Sequence, residues 1–454
     1  MPVRPFHLLA LLVGLPGIGS SPPRPGAPSV PLVIRCTPAS IEIVQQKGNP
    51  QRTTRGGPEK VRNPIAEALV KATPGTTIWL EPGDYPPFTI GFQSHSPANA
   101  ATHGGTPGNP ITVVGSPGVR IIGSEGDTIA IDQRVPNGWI TFKDITIVPG
   151  QRAGVMFYQR GDGQLHQGYT FEDCHILGNF DHETGQGKRT KWGVWGQNLA
   201  DFRFAGVSAP ARIENISEEH AFYLQNVQGA ITIENVHARD LGRTFCQFTA
   251  RTDGRPGRGD VIVRNCVVED ACIAKADGFK GGSAFTICGR MTGAFLFEKN
   301  VYKAGFRPER SRFTLPGKPY GTGAFTAWEE SMAGPTATLV LRDNDFAFAP
   351  GCGDRPVVSI GGCTRVLIVG ENRFASGGQQ QALTLDPVNQ QGKTLSSPNG
   401  SIFLAPATKI EGELTWLGKK PSEEQLATLQ KLPAPELPPA QAPAAGGGSA
   451  AGGR

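Results

Sequence analysis

The chain has 454 residues, 60 of them Gly and 39 Pro, and its 44 Lys plus Arg against 39 Asp plus Glu leave a net charge of +5. That small excess is spread along the chain with no basic block, which excludes nucleic acid as a natural partner, since phosphate recognition needs clustered cations. The length suits two or three ordinary domains or one long repeat architecture.

Residues 1–20, MPVRPFHLLALLVGLPGIGS, contain a basic residue, Arg4, a short apolar run from Leu8 to Leu15, and small residues ending at Ser20. This is the layout of a secretory signal peptide, and the run is far shorter than the ~20 residues of a membrane span. The expectation is an exported protein, secreted, periplasmic or at the cell surface, with no membrane span. Residues 21–59 read as a Pro-rich, irregular segment, extended over its first part. At the other end, residues 433–454 are mostly Pro, Ala and Gly with little to bury and read as a disordered tail. A short helix is expected within 416–432, where Pro421-Ser-Glu-Glu-Gln leads into an apolar-spaced run.

Eight cysteines permit disulfides, and Cys352 with Cys363 are near enough in sequence to close a loop. Cys174 and Cys266 follow Asp173 and Asn265 at equivalent places in two repeats, a pattern that also suits buried thiols. No C-x-x-C pair or zinc-like His/Cys spacing occurs.

Between the ends lies a repeat. One element has the form apolar-x-apolar-x-Asn/Asp-apolar: ITFKDI from Ile140, YTFEDC from Tyr169, ITIENV from Ile231 and VIVRNC from Val261, with FRFAGV from Phe202 as a degenerate copy. A variant with one more residue before its Asn starts at Phe295 (FLFEKNVY), Leu339 (LVLRDNDF) and Leu367 (LIVGENRF). The copies recur every thirty residues or so. Each starts with a period-2 strand, and its Asn or Asp stands where the chain must turn. A second strand follows in each unit: VMFYQR, GVWGQN, AFYLQN, CQFTAR, AFTICGR, AFTAWEE, VVSIGG and ALTLDP. Short strands at a near-constant step with no helix between them predict an all-β fold, a right-handed parallel β-helix solenoid over residues 60–415.

The segment PIAEALVKATPGTTIWLEPGDYPPFTI (64–90) resembles the entry of the pectate-lyase-like right-handed β-helix superfamily, in which a short helix caps the open coil. GNPITVVGSPGVRIIG (108–123) is similar to that family's next coil, and EEHAFYLQNV to a coil motif of its β-helix-repeat members. The resemblance covers roughly residues 60–410. It implies the fold, together with a choice among polysaccharide lyases, hydrolases, esterases, epimerases and non-catalytic surface proteins.

Period-2 geometry phases the second strand. With Val155/Phe157, Phe222/Leu224, Cys246/Phe248, Phe285/Ile287, Phe325/Ala327, Val358/Ile360 and Leu383/Leu385 inward, one outward column reads Met156, Trp195, Tyr223, Gln247, Thr286, Thr326, Ser359 and Thr384. The next reads Tyr158, Gln197, Gln225, Thr249, Cys288, Trp328, Gly361 and Asp386, and a third holds Arg160, Arg251, Arg290 and Glu330. Aromatic planes beside amides and guanidinium groups suit an oligosaccharide, so Tyr158, Trp195, Tyr223, Gln225, Gln247 and Trp328 are the candidate binding residues. The alternative is a solvated sheet face with loops folded over its aromatics. His220 has the inward parity of Phe222 and Leu224 and reads as a satisfied histidine at the coil's edge and not as a catalytic base, and His237 with Arg239, Asp240 and Arg243 reads as a solvated turn linked by salt bridges.

For catalysis, a β-eliminating lyase needs a base, often Arg or Lys in this superfamily, and a cation to neutralise the uronate carboxylate. Arg251 and Arg290 share one phase on neighbouring coils, with Glu330 beyond them, and are the candidate catalytic residues. No dense acidic cluster marks a metal site; no cofactor is assigned, and Ca²⁺ stays open as the alternative neutraliser. A hydrolase needs carboxylates ~5–9.5 Å apart. Glu330 and Asp386 lie two coils apart, so a loop acid such as Glu218, Glu219 or Asp240 would have to complete such a pair. The expected partner is an acidic polysaccharide, bound by a monomer, with lyase, non-catalytic binding or structural module, and glycosidase as the readings in that order.

Overall fold

A computed structural model describes residues 32–45, 59–91, 104–132, 138–158, 165–182, 184–250, 257–273, 282–289, 291–306, 322–328, 337–352, 355–378, 381–388, 392, 394 and 398–431. Three long sheets run the length of the molecule, of fifteen, eleven and eleven strands, and nearly every strand pairs in parallel with the strand one coil away. This is the parallel β-helix solenoid that the repeat predicts. The signal-like residues 1–20 and the tail 433–454 lie outside the described residues. No helix among the described residues is long and apolar enough to cross a membrane.

One coil shows how sequence makes the shape. Val261–Arg264 runs in the first sheet with Val261 and Val263 buried and Ile262 and Arg264 outward. Asn265 then takes φ 53°, in the left-handed region that Asn and Asp tolerate best among side-chain-bearing residues, and the chain turns into Val267–Glu269 of the second sheet. Asp144, Asp173 and Asn235 hold the same place with φ of 56°, 50° and 51°. The thiols of Cys174 and Cys266 follow inward, fully buried, as their placement after the turn suggests. No disulfide joins any of the eight cysteines, so the loop that the spacing of Cys352 and Cys363 permits is not closed.

The variant repeats need a correction. In FLFEKNVY and LVLRDNDF nothing is inserted: Glu298 pairs with Arg264 and Arg342, and Lys299 and Asp343 take the left-handed turn at φ 52° and 55°. The Asn has moved one residue on, into the interior, where Ile145 or Cys266 stands in other coils. LIVGENRF does hold one extra residue, and its register starts at Val366, opposite Leu339, so Leu367 faces outward. The three interior asparagines form a ladder. Asn300 N–H and Nδ2 donate to Asn344 Oδ1 at 3.0 and 3.1 Å, and Asn344 N–H and Nδ2 donate to Asn372 Oδ1 at 2.9 and 3.1 Å. Their remaining Nδ2 hydrogens reach the carbonyls of Val263, Phe297 and Leu341, so each buried amide is bonded along the stack.

Both ends are capped. Helix α1 (Pro64–Lys71) begins with Asn63 accepting from Ala66 N–H at 3.2 Å and Pro64 at the first turn, and buries Ile65, Ala68 and Leu69 over the core. Helix α2 (Glu423–Lys431) begins with a reciprocal cap: Gln425 N–H donates to Ser422 Oγ at 3.2 Å and Ser422 N–H to Gln425 Oε1 at 2.8 Å. The stretch expected to be irregular between 21 and 59 instead contains an antiparallel hairpin, Leu32–Thr37 with Ser40–Gln45, whose first strand pairs in parallel with Thr77–Leu80 and extends the first sheet. Its alternation of buried Ile34 and Cys36 with exposed Arg35 and Thr37 is the period-2 signal that the preceding prolines obscure.

Replacing Asn344 by Ala strands the Asn300 donors and the Phe297 carbonyl in the interior. It should destabilise the fold by about 2–3 kcal/mol, read as a lowered midpoint of thermal or denaturant unfolding. An unchanged midpoint would show that the ladder contributes nothing net.

Candidate functional site

The outward columns of the third sheet form as phased. Met156, Trp195, Tyr223, Gln247, Thr286, Thr326, Ser359 and Thr384 pair in register from one strand to the next. Gln197, Gln225, Thr249, Cys288 and Trp328 do the same two residues on. The residues phased inward are buried, none of them more than 4% exposed. Trp195, Tyr223, Gln225, Gln247, Thr326 and Ser359 are half-buried, whereas Met156, Thr286 and Thr384 are covered.

The candidate catalytic residues Arg251, Arg290 and Glu330, with Arg160 of their column, lie outside the described residues. Trp328 ends the strand Thr322–Trp328 in register with Cys288, and its side chain is likewise outside them. Tyr158 is half-buried and bonded at its hydroxyl, which donates to Asp127 Oδ2 at 2.9 Å and meets the Arg152 guanidinium, itself 5.2 Å from the ring centroid. Asp386 is structural, accepting from Trp416 Nε1 at 3.0 Å and Asn399 N–H at 2.6 Å.

His220 is buried and bonded at the coil's edge as expected, but on the outer side of the sheet and not the inner. In each coil the third-sheet strand opens at a corner where two successive residues turn inward: Ala221 and Phe222, Phe245 and Cys246, Ala284 and Phe285, Ala324 and Phe325. The doubled inward step resets the period, so the residue before it faces outward. Ser283, at that place, lies 2.5 Å from Thr326 Oγ1 of the next coil's outward column. His220 does the same with Gln247, its Nε2 2.8 Å from Gln247 Oε1, and its ring stacks on Tyr223 at 4.6 Å and 15°. The repeated Ala-Phe dipeptide of HAFYLQ, SAFTIC and GAFTAW is the signal that marks this corner.

Around His220 the outer face is bonded into one cluster. Glu219 Oε2 accepts from Arg243 Nη1 at 2.9 Å and lies 3.3 Å from His220 Nδ1. Gln225 Nε2 donates to Tyr223 Oη at 2.7 Å, and Gln197 Nε2 donates to Gln225 Oε1. Gln247 Nε2 donates to Thr249 Oγ1 at 2.9 Å and reaches Cys288 Sγ at 3.4 Å. Trp192 and Trp195 stand side by side one coil away, ring centroids 5.9 Å apart. Glu219 and Arg243, placed by the turns that precede their strands, belong to this cluster; His237 and Arg239 do not form the expected turn but lie in the strand Val236–Leu241 and pair with acids of the neighbouring coils, His237 with Glu269 at 3.2 Å and Arg239 with Glu214 at 2.9 Å.

Burial would raise the Glu219 carboxyl, but hydrogen bonds from His220 and Arg243 outweigh it and hold it at about 2. Burial dominates at His220, which is 2% exposed, and lowers its pKa in spite of Glu219 and Gln247. Arg243, 2.9 Å from Glu219 Oε2, sets a full positive charge beside that carboxylate. Burial also raises the Tyr223 phenol, which stays protonated. Among the described residues no group of three or more His, Cys, Asp or Glu side chains is placed to hold a metal ion, so no described cage fits Ca²⁺.

Both shifts favour the fold at higher pH. A histidine whose folded pKa lies below its unfolded value contributes stability that is present above the unfolded value and lost on acidification; Glu219 contributes likewise, lost below its unfolded value toward about 2. Stability should therefore fall between about pH 7 and 5, and His220→Gln should flatten that part of the profile. The same slope in wild type and variant would contradict a His220 pKa lowered by burial.

No protein-family model matches the chain and no curated protein matches its sequence.

Proposed function

We propose that the protein is a pectate-lyase-like β-helix protein that binds a polysaccharide along the outer face of its third sheet, and that its export signal places it where such polymers are met. The observation that carries this reading is the half-buried Trp195–Tyr223 column, continued by Gln247, Thr326 and Ser359 and edged by the amides of Gln197 and Gln225. Sugar rings lay their C–H faces on aromatic planes, and amides and hydroxyls in register one strand apart, ~4.8 Å, meet successive hydroxyl groups of a chain lying along the axis.

β-Elimination is the second reading. A base takes the proton α to a uronate carboxylate, the electron pair forms the new C=C bond, the glycosidic C–O bond breaks, and the leaving oxygen takes up a proton. Tyr223, held protonated by burial, has the character of the proton donor for that last step, and Arg251 or Arg290 would act as base. A glycosidase fits less well, because Glu219 at the border of this face is held ionised and Asp386 is bonded to Trp416.

Titration of the mature protein against pectate, alginate, glycosaminoglycans, ulvan and neutral glycans tests the reading. At least one should bind, and Trp195→Ala should weaken it about tenfold, the order of one lost ring contact. Failure of every polysaccharide to bind, or wild-type affinity in Trp195→Ala, would overturn it. Ultraviolet absorbance of an unsaturated uronate in the same mixtures, lost in Tyr223→Phe protein, would establish the lyase.

A further inference from the structure

The strand Trp192–Gln197 is entered through Gly187-Lys188-Arg189-Thr190-Lys191-Trp192, a run of cations around one threonine that stands outside the strand columns. Thr190 is 1% exposed and bonded on all sides. Its N–H donates to Ser217 Oγ at 2.6 Å and its hydroxyl to the Gly150 carbonyl at 3.0 Å, while its carbonyl accepts from Ser217 Oγ at 2.9 Å and Glu218 N–H at 3.1 Å. Fixing Thr190 between two coils leaves Arg189 and Lys191, on either side of it, exposed to solvent. Lys191 Nζ lies 5.9 Å from the Trp192 ring centroid, and Trp192 stands against Trp195. The Trp192 indole N–H is buried and has no acceptor among the described residues.

The surrounding charges differ in how far they are committed. Lys188 Nζ donates to the Gly123 carbonyl at 2.8 Å, Arg152 is paired to Asp127 and Arg243 to Glu219. Arg189 is 71% exposed and only loosely opposed by Glu218 at 3.6 Å. Lys191 has no carboxylate within ion-pair distance among the described residues. Lys191 thus stands against the paired indoles, and Arg189, two residues earlier on the same pinned loop, lies with its guanidinium 6.0 Å from the Phe180 ring centroid.

We infer that Arg189 and Lys191 form a subsite for the carboxylate of an acidic sugar whose ring lies on Trp192 and Trp195, and that they set a preference for acidic over neutral polysaccharide; this rests on the glycan-binding reading. Exposed charges interact weakly one by one and are screened by salt, so the preference is shared between the two and shrinks as ionic strength rises. Trp192 and Trp195 serve acidic and neutral chains alike.

The test compares a polyuronate that binds with its carboxyl-reduced, neutral counterpart, in wild type, Arg189→Ala/Lys191→Ala and Arg189→Lys/Lys191→Arg. Wild type should favour the polyuronate, more so at low salt. The double alanine variant should lose about tenfold of that preference with affinity for the neutral chain unchanged, and the charge-conserving variant should keep it. An unchanged acid-to-neutral ratio in the double alanine variant would overturn the subsite while leaving the groove standing. If wild type bound neither form of any polymer, the groove and the subsite would fall together.

Discussion

Every coil must offer its backbone N–H and C=O groups to the coils above and below in a single register, and that requirement decides where each side chain points. A residue in one strand stands directly over its counterpart in the next, so chemistry accumulates in columns. Inward columns become a continuous stack of Phe, Ile, Val and Leu; the asparagine ladder shows that a polar group is admitted there when its amide repeats the backbone's own bonding along the axis. Outward columns inherit the same order and become linear arrays of aromatic, amide and hydroxyl groups. A linear polymer is the ligand whose shape matches such an array.

The corners supply what the strands cannot. The turn from first to second sheet is made by left-handed Asp, Asn or Lys and is structural. The turn from second to third sheet ends in two successive inward residues, and this places His220 outside, stacked on Tyr223, with Glu219 and Arg243 beside it. Burial and pairing then divide the charges: an imidazole whose pKa burial lowers, an ionised carboxylate and a guanidinium committed to it. The cluster stiffens the face that carries Tyr223 and Gln247. The more open cations, Arg189 and Lys191, project from a loop pinned through Thr190.

The fold was legible because the signals repeat: one strand pattern, one turn residue, one step, many times over. The outward columns were legible for the same reason, since alternation holds within a strand. It fails at a corner, and parity carried across that corner puts His220, two residues before its strand, on the wrong side of the sheet. The interior asparagines were misread as turn residues because Asn serves both roles and only the register of Lys299 and Asp343 separates them. The hairpin at Leu32–Gln45 was hidden by its proline-rich approach. Arg189 and Lys191 sit in a connection with no periodicity, where position is set by Thr190 and its tertiary hydrogen bonds.

A crystal structure with a bound oligouronate tests the central claim most directly. The account predicts sugar rings along the third sheet, lying on Trp192 and Trp195 with hydroxyl contacts to Gln225 and Gln247 on successive coils. An oligosaccharide seated on another face, or a third sheet whose Trp195 and Tyr223 lie beneath a covering segment, would contradict it.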